Sequence, residues 1–149
     1  MGKTYDFLVK LLKILIVLAI ILSILVFVKN NIEKKQIKQA LTTVGHELQA
    51  THITGYDDNS GFVDVEMAVA DREEIFANCK NALPNLGPQL KKLSNYYSTL
   101  SIVAKLPDGD TQGLDIPIDK IGEIEWNKLN SFDEFLEYAN IMSIRSIKK

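Results

Sequence analysis

A chain of 149 residues with a net charge of −2 is about one domain in length, and its single cysteine, Cys79, excludes an intramolecular disulfide. The charge is divided: residues 1–50 carry seven lysines against three carboxylates, +4, which leaves −6 on residues 51–149. That acidic second half, in a chain with only Arg72 and Arg145 as arginines, argues against nucleic acid as a partner, while the basic first half suits anionic lipid headgroups.

Residues 14–28 are apolar except for Ser23, and Leu11 and Leu12 extend the run to residues 11–28 across Lys13. At ~1.5 Å per residue the run covers about 27 Å, enough for a bilayer core of ~30 Å. Lys10, Lys13 and Lys29 stand where lysines snorkel to headgroups, and Tyr5, Phe7 and Phe27 where interfacial aromatics sit. The run ends in Phe27-Val28-Lys29-Asn30-Asn31, bulky and then charged, so no small-x-small cleavage site follows. The expectation is an uncleaved signal anchor, with residues 1–13 as a short tail. Met1-Gly2 resembles a myristoylation start, but Asp6 stands where Ser or Thr is needed. No cysteine follows the run, which excludes a lipoprotein anchor.

Orientation is contested by the residues themselves. Lys3, Lys10 and Lys13 flank one side, and Lys29, Lys34, Lys35 and Lys38 the other, a count that leans toward a cytoplasmic C-terminus. A short tail before a signal-like apolar run is commonly retained inside, and the expectation here is a cytoplasmic N-terminus with an extracytoplasmic domain.

Residues 29–50 read as an amphipathic stem helix continuing the membrane helix. Ile37, Leu41, Val44 and Leu48 form one apolar stripe, spaced to pack on the protein's own sheet or, alternatively, on a second copy. Residues 51–149 read as a small soluble α+β domain. Strands over residues 52–56 and 62–70 flank a turn at Asp57-Asp58-Asn59-Ser60-Gly61. In the second, Val63, Val65, Met67 and Val69 alternate with Asp64, Glu66 and Ala68. Asp71 and Glu74 are spaced as a capping box opening a helix to about Leu83, after which Pro84 breaks it and Pro88 suits the first turn of another.

Residues 97–106 alternate again, Pro107-Asp108-Gly109-Asp110 is a turn, and Leu114, Ile116 and Ile118 line the next strand, which Pro117 marks as an edge. Residues 121–126 suggest a further short strand. Ser131 and Glu134 cap a last helix whose stripe is Phe132, Phe135, Leu136, Ala139 and Met142. The fold class is therefore α+β: a transmembrane helix continuing into a stem, then an antiparallel sheet of about four to five strands with two to three helices on one face.

The chemistry-bearing residues do not assemble into a known constellation. His46 and His52 are six apart, about 240° around a helix, whereas a zinc pair needs a spacing of four. Asp108 and Asp110 with Gly113 imitate a calcium loop, but Asp119 stands where the bidentate glutamate belongs. The carboxylate pairs Asp57/Asp58 and Glu73/Glu74 fall at a turn and a helix start, where solvation and capping account for them. Asp64, Glu66, Asp115, Glu123 and Glu125 are expected to share an acidic sheet face, a solvated surface or a dock for a basic partner. Cys79 reads as a small buried side chain.

No nucleophile elbow, phosphate loop or dinucleotide fingerprint occurs. No catalytic, cofactor-binding or metal residue is assigned, and no enzyme activity is expected. The expectation is a single-pass membrane protein of the cell envelope with a non-enzymatic interaction or accessory domain. Its partners would be the lipid bilayer and a protein, or a second copy, met through stem or sheet surface. A pilin-like filament subunit is one alternative, weakened by the lack of a glutamate in the apolar run; an extracytoplasmic ligand sensor or enzyme is the other.

Overall fold

The computed structural model describes residues 2–56 and 61–142, and the expected turn at Asp57-Asp58-Asn59-Ser60 lies outside them. The first helix, α1, runs over Gly2–Glu47, and the chain divides into two compact units, Met1–Gln36 and Ile37–Lys149.

In the first unit the large apolar side chains of residues 11–28 are 43% to 68% exposed. So exposed an apolar surface is compatible with a single-pass membrane anchor. Its one interior hydroxyl is satisfied locally, since Ser23 Oγ donates to the Ala19 carbonyl at 2.8 Å. Among the described residues one helix, within Phe7–Glu47, is long and apolar enough to cross a membrane, and none of its apolar window is buried.

The second unit is built on a five-stranded sheet in the order β1-β2-β3-β4-β5. The strands are β1 (His52–Gly55), β2 (Phe62–Ala68), β3 (Thr99–Lys105), β4 (Thr111–Pro117) and β5 (Asn140–Met142). Three of its pairings are antiparallel, but β2 and β3 run parallel, which corrects the expectation of an all-antiparallel sheet. The reason is the connection. Residues 69–98 contain α2 (Arg72–Ala82), a 3₁₀ turn at Leu83–Asn85 and α3 (Gly87–Leu93), a helical crossover that returns the chain to the same end of the sheet. Alternation of apolar and polar residues reports which face is buried and carries no information about strand direction.

The buried face is written in register: Val63, Leu100 and Ile116 lie side by side, as do Val65, Ile102 and Leu114, and Met67, Ala104 and Gln112. All nine are buried. The last turns of α1 complete the core through Ala40, Val44 and Leu48, with Ile37 and Leu41 partly buried, as the apolar stripe predicts. Gly45 is what permits this approach, because a Cβ there would stand 3.0 Å from Ile53 Cγ2 on β1. The helix ends in a Schellman turn: Gln49 adopts φ 56°, its N–H donates to the His46 carbonyl, and Ala50 N–H donates to that of Gly45.

Both expected capping boxes form. Asp71 Oδ1 accepts from Glu74 N–H at 2.9 Å while the Glu74 carboxylate accepts from Ala70 N–H. Ser131 and Glu134 repeat the arrangement at α4 (Phe132–Leu136), where Glu73 also accepts from Phe132 N–H and joins α4 to α2. Phe135 meets the rings of Phe76, Trp126 and Phe132 with centroids 6.0, 5.6 and 6.4 Å away.

Two further expectations are corrected. The strand expected over 121–126 is instead a 3₁₀ segment at Ile118–Glu123 followed by a turn, with Ile121, Ile124 and Trp126 buried. The last helix stops at Leu136, and Asn140–Met142 forms β5 along β4. An edge of β4 offers backbone hydrogen bonds that a continued helix would leave unmade. Pro117 is compatible with this because β5 pairs only with Gly113–Asp115, short of the proline.

Candidate functional site

The face of the sheet opposite the core gathers polar groups from several strands. Register places Thr54, Asp64, Ser101, Asp115 and the backbone of Asn140 in one row across the strands, and His52, Glu66, Val103 and Gly113 in the next. Three of the five carboxylates expected to share this face do so. Glu123 and Glu125 do not: they lie beyond β4, paired with Lys120 and Lys128 at 3.1 and 2.9 Å. A sequence shows charge alternation within a strand, but assigning Glu123 and Glu125 to the sheet required a strand that the chain does not form there.

The electrostatics of this face are uneven. Burial, the neighbouring charge of Glu66 and that of Asp115 hold Asp64 above the usual aspartate range, with His52 opposing. Glu66 is held below its ordinary value by the hydrogen bond and charge of Lys105. Asp115 Oδ1 is buried and accepts no hydrogen bond among the described residues, while Ser101 between the two aspartates is 9% exposed. Among the described residues, the ion pair on this face is Lys105 with Glu66, in the neighbouring row. The Asp64 row holds no pair of groups arranged as nucleophile and base.

The remaining candidates disperse. His52 contacts Thr54 Oγ1 at 2.7 Å on β1, and His46 lies at the end of α1 beside Glu47, 3.5 Å away. Among the described residues no group of three or more histidine, cysteine, aspartate or glutamate side chains is placed to hold a metal ion. Asp108 and Asp110 build a hairpin turn: Asp108 Oδ1 accepts from Asp110 N–H at 3.0 Å, and Gly109 has φ 87°. Glu73 and Glu74 serve helix termini, as described above, and Asp57/Asp58 lies outside the described residues. Cys79 is fully buried, and burial pushes its thiol up to about 12.

Sequence reasoning missed one feature. A cleft of about 390 Å³ opens between the 83–94 segment and the 3₁₀ segment at Ile118–Glu123, floored by Leu90, Ile121 and Trp126 and edged by Lys91 and Asp119. Its walls come from segments some thirty residues apart in the chain, so no local pattern signals it. Ser94, the one hydroxyl among its lining residues, donates to the Lys91 carbonyl. The cleft's apolar floor can take an apolar group.

No protein-family model, curated protein or solved structure matches this chain.

Proposed function

We propose that this chain is a single-pass membrane protein whose second unit is a non-catalytic interaction domain held outside the cytoplasm. The observation that carries the reading is the apolar window of α1, long enough to span a bilayer and with none of it buried by the protein itself. The carboxylates that register gathers on the sheet face opposite the core, Asp64, Glu66 and Asp115, support the interaction role, because a basic partner would complement their charge. The shortness of the tail ahead of the signal-like apolar run supports the orientation, against a lysine count that leans the other way.

The experiment has two stages. After alkaline carbonate washing, the full-length protein should stay with the membranes, and recovery of a mature N-terminus beyond Val28 would overturn the anchor. Protease added to intact cells should then remove the domain and leave a membrane stub. Digestion only after the membrane is breached would reverse the orientation, with the detergent-solubilised protein as the control for intrinsic resistance.

The continuity of α1, 46 residues without a break, favours a second reading as a pilin-like filament subunit. Chemical cross-linking in native membranes separates the two: a ladder of many copies supports a filament, and a discrete heteromeric product supports the interaction domain.

A further inference from the structure

Where α1 leaves the apolar run, its cations are not equivalent. Lys29 follows Val28 directly and is 3.7 Å from Glu33, so this pair is nearly neutral to its surroundings. Lys34 and Lys35 are exposed, and among the described residues neither has an ion-pair or hydrogen-bond partner. A net charge of about +2 is thus concentrated on two adjacent residues of the helix that no described residue neutralises through an ion pair.

Their position along the helix makes the concentration significant. At ~1.5 Å per residue, Lys34 and Lys35 lie about 7–9 Å beyond Lys29. The headgroup layer on each side of a bilayer is about 5–7 Å deep, from a total of ~40–45 Å around a core of ~30 Å. The Cα–Cβ bonds of a helix tilt toward its N-terminus, so side chains after a span lean back toward the membrane they have just left. Lysine stems reach several ångströms further in that direction. The two free ammonium groups are therefore carried into the phosphate layer, within one Debye length of it.

We infer that Lys34 and Lys35 form a binding site for anionic lipid headgroups in the leaflet that the helix leaves toward its C-terminus. The inference rests on the membrane-anchor reading and adds to it a lipid class. A zwitterionic headgroup offers a phosphate already balanced by its own cation, whereas an anionic one offers charge that two unpaired ammonium groups can neutralise. Each lysine so placed is worth ~1 kcal/mol, which corresponds to about fivefold in local lipid preference.

The test uses the full-length protein reconstituted in vesicles of phosphatidylcholine and phosphatidylglycerol, about 4:1, with a trace of spin-labelled lipid. Electron spin resonance then measures the share of each labelled lipid held at the protein surface. At low salt the phosphatidylglycerol label should be preferred about fivefold over the phosphatidylcholine label, and 1 M salt should remove the preference. K34Q/K35Q should lose at least half of it, because lysines at the other end of the helix still act on the opposite leaflet. K91Q/K92Q, altered in α3, should keep it in full. A wild-type protein that floats with the vesicles but shows no preference overturns this inference alone, as does a K34Q/K35Q variant that keeps the whole preference. A protein that does not float with the vesicles overturns the anchor reading and the lipid site together.

Discussion

Gly55 ends β1 beneath Tyr97, and the substitution Gly55→Ala puts a number on how tightly that corner is packed. A Cβ at residue 55 would stand 2.3 Å from Tyr97 Oη, 2.6 Å from Cζ and 3.1 Å from Cε1. Ordinary heavy-atom contacts begin at about 3.5 Å, so the phenol would have to retreat by roughly 1 Å. It has little room, since Tyr97 is 5% exposed and Gly55 is held in register opposite Val63. Overpacking of this kind costs about 1–3 kcal/mol. Tyr97→Ala alone should cost about 3–5 kcal/mol, as large aromatic deletions do.

In the double variant the added methyl enters the vacated space, so Gly55→Ala should cost less than about 0.5 kcal/mol there and the coupling should be about 1–3 kcal/mol. Urea unfolding of residues 30–149, with helix and sheet content first checked by circular dichroism, measures all three variants. The slope should stay constant while the midpoint moves. An equal cost of Gly55→Ala in both backgrounds, or no cost in either, would refute the steric account.

Gln49→Gly should stabilise the domain by about 0.5–1 kcal/mol, because Gln49 sits at φ 56° in a Schellman turn that glycine adopts without strain; a loss of stability would show that the glutamine side chain contributes more than its backbone costs. Asp64→Asn should raise the melting temperature at pH 7. The folded-state value of Asp64 lies above the unfolded value of 3.8, so ionising it opposes folding. The variant's advantage should shrink as pH falls through the folded value and vanish below 3.8, and a destabilised variant at pH 7 would contradict the burial and charge account. Cys79 should resist a thiol reagent at pH 8 until denaturant unfolds the domain, since its thiol is fully buried and pushed up to about 12. Reaction in the native state, followed by absorbance, would mean that α2 opens locally.

What the sequence by itself determined about this protein was local and periodic. The apolar run of residues 11–28, the stripe Ile37, Leu41, Val44 and Leu48, the alternation in β2 and β3 and the capping pairs Asp71/Glu74 and Ser131/Glu134 each rest on neighbours a few residues apart. Hydrophobic period and cap chemistry are therefore sufficient to read them.

Tertiary structure alone decided the rest. The parallel pairing of β2 with β3 depends on where residues 69–98 return the chain, and the same alternation would serve an antiparallel neighbour equally well. The conversion of Asn140–Met142 from an expected helix to β5 depends on an open edge of β4 that only the assembled sheet creates. Asp64, Ser101 and Asp115 come from three strands and become one row through register, and the Trp126 cleft joins two segments distant in the chain. Register and packing are relations between distant residues, and no window of sequence contains both partners.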